Sequence, residues 1–234
     1  MTDVKLITTS DGSHSLLNEE LNETYHSVHG ALQESQHVFI NNGLRYFLEL
    51  RPLDHLSIFE VGFGTGLNAL LTIKALENLK THVSYVSVEP FPIGKELWTS
   101  LNYTKVLGLQ DTFATLHRSS WETPNQITSQ LLLLKRQTKL QTIDLEPKSF
   151  DVVYYDAFAP NKQPELWTID ILRKVIDAMK LNGVLVTYCA KGQLKRDLKE
   201  LGLRVETLPG PPGKKEMVRA TREETDRYTQ HASP

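Results

Sequence analysis

The stretch "LSIFEVGFGTGLN" (56–68) constrains this chain more than any other. An apolar run closes on glycines at 62, 64 and 66, and "LNALLTIKALENLK" then carries apolar residues at helical spacing. A buried strand that turns through glycines straight into a helix is the ligand-binding corner of an open α/β sheet. Glycine lets the backbone bend sharply and approach a ligand with no Cβ in the way. The dinucleotide fingerprint would need its third glycine at position 67, which is Leu67. The Lys-Ser/Thr pair of a Walker-type phosphate loop does not follow either.

The alternation continues downstream. "VSYVSVEP" reads as a strand, "IGKELWTSLNYTKVLG" as a helix, "ITSQLLLLKRQT" as a third strand and "FDVVYYDAF" as a fourth. The helix "TIDILRKVIDAMK", with Gly183 just past its end, precedes a fifth strand, "NGVLVTYC". After the helix "KGQLKRDLKELG", the runs "LRVETLP" and "KEMVRAT" flank "GPPGK" as an antiparallel pair. Strand–helix alternation predicts a mostly parallel sheet with helices on both faces. Residues 1–55 lack the alternation and are expected to be an N-terminal extension packed on the domain formed by 56–223. Residues 224–234 read as a polar tail.

Size and composition narrow the class. A chain of 234 residues suits one large domain, or one with a small extension. A single cysteine, Cys189, excludes an intrachain disulfide and a cysteine-rich metal site. "HSVH" has a metal-like spacing, but no cysteine or carboxylate pattern converges on it, so no metal is expected. His26, His29 and His37 are read as hydrogen-bonding residues, with His26 or His37 facing the cleft. The N-terminus lacks a basic segment followed by an apolar one, and "LLLL" (131–134) is too short to span a bilayer. The expectation is a cytoplasmic protein with no membrane partner. The charge is polarised: residues 1–60 hold three Lys/Arg against nine Asp/Glu, and 191–222 hold nine against four.

Glu89 ends the second strand, where a carboxylate can accept hydrogen bonds from both hydroxyls of a ribose. G-x-G-x-G with Glu60 two residues ahead resembles the S-adenosylmethionine loop of class I methyltransferases, as does the closing antiparallel hairpin. That resemblance implies a Rossmann-like, mostly parallel seven-stranded sheet. It implies S-adenosyl-L-methionine held by Glu60, Gly62, Phe63, Gly64, Thr65, Gly66, Asn68 and Glu89, with Asp156 beside it. The acidic residue that many such enzymes place after the third strand has no clear counterpart: Lys135 and Arg136 stand there, and Asp144 comes late. Adenine recognition is unassigned.

Asp156 ends the fourth strand and opens "DAFAPNKQPELW" (156–167). Amino-methyltransferases often carry Asn/Asp-Pro-Pro-aromatic there; this version is looser but keeps carboxylate, aromatic and proline. Phe158 is placed to wall a planar ring, and Trp167 reads as core.

Four stretches now carry a closer resemblance: "YHSVHGALQESQHVFI" (25–40), "EVGFGTGLN" (60–68), "DAFAPNKQPELWT" (156–168) and "KKEMVRA" (214–220). With them the chain resembles the methyltransferase domain of the bifunctional enzyme that completes 5-methylaminomethyl-2-thiouridine in tRNA. The resemblance implies methylation of the 5-aminomethyl group of the wobble uridine, with the tRNA anticodon arm as partner. No second dinucleotide fingerprint marks the FAD-dependent oxidase half, so a stand-alone methyltransferase is expected, its substrate supplied by a separate protein. Asp156 takes the catalytic place. Tyr25, His26, Phe158, Pro160, Lys214, Lys215 and Arg219 are the implied substrate-binding residues, with Lys195 and Lys199 as further phosphate candidates. An alkyl ammonium titrates near 10 and an ordinary aspartate near 4, so Asp156 is expected to bind and orient the amine rather than act as a full base.

Two other readings compete. Cys189 ends strand five, where RNA cytosine-C5 methyltransferases carry a nucleophile, although "DAFAP" lacks their second cysteine. A non-catalytic nucleotide- or tRNA-binding module is the other.

Overall fold

The computed structural model describes residues 4–224. Its first strands, β1 (Val4–Thr8), β2 (His14–Asn18) and β3 (Glu23–Thr24), form a small antiparallel sheet of their own. A helical run follows, made of α1 (Ala31–Ser35), a π-helical stretch Gln36–Arg45 and α2 (Tyr46–Leu50). The alternating part then unrolls as β4 (His55–Val61), α3 (Leu67–Leu76), β5 (His82–Val88), α4 (Lys95–Ser100), α5 (Tyr103–Leu107) and α6 (Gln110–Arg118). It continues through β6 (Pro124–Thr128), β7 (Leu131–Arg136), β8 (Phe150–Tyr155), α7 (Ile169–Asp177) and β9 (Met179–Thr187). α8 (Gly192–Glu200), β10 (Leu203–Pro209) and β11 (Glu216–Arg222) close it.

The main sheet has the order β10-β11-β9-β8-β4-β5-β7-β6. Strands β7, β5, β4, β8 and β9 are parallel, and β11 and β10 add the expected antiparallel pair at one side. The chain runs outward from β4 to β7, then returns to lay β8 against the other side of β4. That reversal opens a crevice at the carboxyl ends of β4 and β8, the usual ligand position in such sheets.

β8 explains itself from its composition. All six residues of "FDVVYY" are buried, as in a central strand covered on both faces. Val152 and Tyr154 join one apolar cluster with α3 and the helical run, while Val153 and Tyr155 join the other with α7 and α8. The helical run lies tight on the sheet at Gly43, where a Cβ would stand 2.9 Å from Val186 and 3.2 Å from Tyr154.

The sheet holds eight strands, one more than expected. "ITSQLLLLKRQT" is not one strand: β6 and β7 form a hairpin whose turn Thr128 builds, its hydroxyl accepting the N–H groups of Gln130 and Leu131. The expected helix over "IGKELWTSLNYTKVLG" breaks at Leu101, which is extended. Asn102 is pinned from outside, accepting from the His14 N–H at 2.8 Å and donating to Gly12 O at 2.9 Å. Sequence reading missed α6, and Gly183 lies inside β9 rather than just beyond α7. Beyond Glu224 the expected polar tail lies outside the described residues. Among the described residues no helix is long and apolar enough to cross a membrane.

Candidate active site

The glycine loop joins β4 to α3 and is stitched to both neighbouring strands. Gly62 N–H donates to Val88 O at 3.0 Å, and Asp156 N–H donates to Val61 O at 3.1 Å. Gly62, Gly64 and Gly66 all have positive φ, at 91°, 49° and 73°. At Gly62 a Cβ would stand 2.7 Å from Asp156 O, so the loop meets the end of β8 only because the side chain is absent.

Thr65 is the loop's anchor. Its hydroxyl lies 2.7 Å from His26 Nε2 and accepts from the Tyr103 O–H at 3.3 Å. Its carbonyl lies 3.1 Å from Nε2 of His117, a ring that stacks on Trp98 at 5.0 Å. Burial pushes both imidazoles down to about 4, so both are neutral at pH 7.

Two carboxylates at strand ends, Glu89 and Asp156, line the crevice. Glu89 accepts the Gly64 N–H at 3.1 Å on one oxygen and the Phe91 N–H at 2.9 Å on the other, and burial raises its pKa. Asp156 accepts the Asn68 amide at 2.8 Å. Burial first, and then the charge of Glu34, push Asp156 up to about 7. The ordinary value of about 4 used in sequence reading does not hold here.

These groups line a cavity of about 1000 Å³, at the large end for a small-molecule site. In its lining Tyr25 meets Phe158 edge-on, with ring centroids 5.1 Å apart. The lip "DAFAP" is held by aromatic donors: Tyr188 O–H donates to Ala157 O and Trp167 Nε1–H to Phe158 O, each at 2.8 Å. Trp167 itself is buried against Tyr155. Lys214 reaches in from the 210–215 loop, pairs with Glu34 and sits 3.7 Å from the Tyr188 ring centre. Glu34 also accepts the Ser27 N–H at 2.7 Å.

Several expected site residues lie elsewhere. Glu60 is fully buried beneath the loop, accepting from the Ser87 hydroxyl at 2.7 Å, and does not line the cavity. Pro160 and exposed Lys215 lie outside the lining. Arg219 is buried, bonded to Glu206 at 3.0 and 3.1 Å and stacked on Tyr46, because its strand register turns it away from the cleft. Lys195 is paired with Glu216 at 2.8 Å. Cys189 is buried in the lower apolar cluster, off the cavity, and burial raises its thiol pKa. Sequence reading missed Glu34, inside the 25–40 stretch, and Tyr188, beside Cys189, because neither carried a spacing of its own.

The adenine side is also rearranged. Lys135 is fully buried, donating to the Leu116 and His117 carbonyls at 2.8 and 3.2 Å, and Arg136 pairs with Glu122 at 2.7 Å. Asp144 is not in the lining; the segment after β7 instead brings Lys139, Leu140 and Gln141 to it. No three His, Cys, Asp or Glu among the described residues are grouped to hold a metal ion.

Residues 104–223 match the profile of a family described as S-adenosyl-L-methionine-dependent methyltransferase. The chain belongs to that family. This methyltransferase is 31% identical over 228 residues to the tRNA 5-methylaminomethyl-2-thiouridine biosynthesis bifunctional protein MnmC of Cupriavidus metallidurans, covering 91% of this chain and 33% of that protein. With the same protein of Acinetobacter baylyi it shares 27% identity over 226 residues, covering 90% of this chain and 36% of the relative. The chain thus spans about a third of the length of the curated relatives it matches. The crystal structure of MnmC2 from Aquifex aeolicus superposes with a TM-score of 0.78 at 25% identity, covering 95% of this chain and 71% of that one.

The cleft of the methyltransferase fits S-adenosylmethionine. Glu89 uses one backbone N–H per oxygen, leaving lone pairs for two ribose hydroxyls. The glycine loop offers backbone with no Cβ. Phe91, 62% exposed at the cavity rim, and Leu140 supply apolar surface for a base.

Proposed function

We propose that this methyltransferase acts on the primary amine of 5-aminomethyl(-2-thio)uridine at the tRNA wobble position, giving 5-methylaminomethyl(-2-thio)uridine. The observation that carries this reading is Asp156, bonded to Asn68, in the lining of one cavity with Phe158, Tyr25 and Tyr188. It is supported by the similarity to MnmC over 91% of this chain.

When bound, S-adenosylmethionine supplies a methyl group already activated as a sulfonium. The residues of the cleft must therefore hold the acceptor nitrogen in line and free its lone pair, an alignment that supplies roughly 7–11 kcal/mol in favourable cases. Asp156 offers an oxygen to the amine N–H groups. A carboxyl that titrates at about 7 is better matched to taking up the amine proton than an ordinary aspartate. Orientation is the first role of Asp156, and proton uptake the second. Tyr25 and Phe158 present ring face and edge to the pyrimidine.

Lys214, at the rim, is placed for a phosphate or base oxygen of the substrate, and exposed Lys191, Lys199 and Lys215 extend positive charge from α8 and the neighbouring loop for an anticodon arm. The reading calls for the cytoplasm, and for a separate activity that generates the aminomethyl group. Transfer of labelled methyl to tRNA bearing 5-aminomethyluridine tests it, with Asp156→Ala as control. Absence of transfer to that tRNA sinks it.

A further inference from the structure

Three buried polar atoms on residues of neighbouring elements have no hydrogen-bond partner: Glu60 Oε1, Asn68 Oδ1 and the Tyr85 hydroxyl. All three residues are at most 3% exposed. Glu60 stands near the end of β4, Tyr85 on β5 and Asn68 in the first turn of α3, and the side chains of Asn68 and Tyr85 both bear on the Glu60 carboxyl. Buried polar atoms are nearly always paired, so a cluster of orphans marks a missing hydrogen or a missing ligand.

The Asn68 amide is already committed on one side. Its Nδ2 donates to Asp156 Oδ2 at 2.8 Å, so its oxygen needs a donor of its own. An ionised Glu60 has none to give, whereas a carboxyl O–H does. One hydrogen on Oε1 satisfies both Glu60 and Asn68, and the lone pairs left on the carboxyl can accept from the Tyr85 O–H. Ser87 already donates to the other oxygen at 2.7 Å.

We infer that Glu60 carries a proton in the folded protein and donates it to Asn68 Oδ1, making Glu60 a positioning residue that fixes the amide holding Asp156. The electrostatics agree. Asp156, Tyr85, Tyr154, Asn68 and Ser87 are the groups that act on Glu60, and none is cationic; burial first, with the charge of Asp156 adding, outweighs the side chains of Ser87, Asn68 and Tyr85, which act in the other direction, and its pKa is pushed up to about 8. The importance of the device for methyl transfer rests on the role of Asp156 proposed above. The protonation itself does not.

The test uses the protein without tRNA, so its failure is separate from failure of the proposed activity. Carboxyl ¹³C resonances are followed against pH, with Glu60 assigned by Glu60→Gln and Asp156 by Asp156→Asn. The expected result is that Glu60 has the higher midpoint of the two and is still protonated at pH 7. A Glu60 that ionises in the ordinary range overturns the inference. So does the reverse arrangement, in which the amide is turned over and the proton resides on Asp156.

A second arm measures S-adenosylhomocysteine affinity by calorimetry. Glu60→Gln keeps an N–H for Asn68 and should bind within about threefold of the parent, while Glu60→Met, similar in size but without a donor, should weaken binding about tenfold. Glu60→Met should also raise the Asp156 midpoint, which Glu60→Gln should leave in place. Equal effects of the two variants overturn the assignment.

Discussion

His26 reaches from the N-terminal segment to the glycine loop, its Nε2 2.7 Å from Thr65 Oγ1. This contact makes the segment before the alternating fold part of the cofactor corner. His26→Ala leaves the Thr65 hydroxyl with only the longer Tyr103 bond of 3.3 Å. Loss of one buried hydrogen bond of this kind should weaken S-adenosylhomocysteine binding about tenfold by calorimetry. Unchanged affinity would show that the loop holds itself without the segment.

The pH dependence of stability has a worked sign. His26 and His117 titrate at about 4 when folded, so between that value and about 6.5 the unfolded chain binds protons the native one does not. Their contribution is lost as pH falls through that window. Glu60 and Asp156, at about 8 and about 7, act oppositely: the native state holds their protons, and stability is lost as pH rises from the ordinary carboxyl range to those values. The two pairs offset each other between about pH 5 and 6.5, so the unfolding midpoint should be flat there and fall toward about pH 8. His26→Gln with His117→Gln should expose a decline that starts near pH 5, read by calorimetric scans across the range.

Gly62→Ala places a methyl 2.7 Å from Asp156 O at a φ of 91°. The cost should be at least about 1–3 kcal/mol, from backbone strain and separation of the loop from β8. Denaturant titration should show that loss, and methyl transfer should fall with it. Gly94→Ala, where nothing lies within 4 Å of the added Cβ, is the control and should change neither.

Cys189→Ala should retain methyl transfer and lose about 1 kcal/mol of stability, as expected for a small buried group outside the cavity. Asp156→Ala should lose transfer. Abolition of transfer by Cys189→Ala would revive the cytosine-C5 reading.

Breaking the Lys214–Glu34 pair separates two effects. Glu34 stands second after burial among the causes that raise Asp156, and Lys214 lowers it. Lys214→Met should therefore move the Asp156 midpoint upward, and Glu34→Gln should move it downward. The acid limb of the kcat/KM profile for the proposed transfer should follow in each case.

The part of the fold legible in the sequence is the part dictated by period and punctuation. An apolar strand, three glycines and an amphipathic helix placed the corner, and "FDVVYY" placed the central strand that carries Asp156. Side chains whose direction depends on register were not legible. Arg219 and Lys214 are five residues apart in one basic stretch, yet one is sealed against Tyr46 and Glu206 and the other enters the cleft. Lys135 follows an aliphatic run and, in the sequence, only stands where an adenine-binding acid was sought. It is instead a buried cation, held by carbonyls from α6, a helix whose pattern had not been read. Asp156 was singled out in the sequence and lies in the cavity lining, but its proton affinity depends on Glu34, more than a hundred positions away in the sequence.

The 210–215 loop closes against the other end of the chain. A Cβ on Gly213 would stand 1.9 Å from His29, and Lys214 is 180 positions from its partner Glu34. During synthesis, Tyr25, His26 and the glycine loop leave the ribosome long before β11, which must insert between β9 and β10 to bring Lys214 into place. Until β11 is made, the nascent methyltransferase therefore has a cleft with one wall missing. The cleft is completed by the strand that follows the loop.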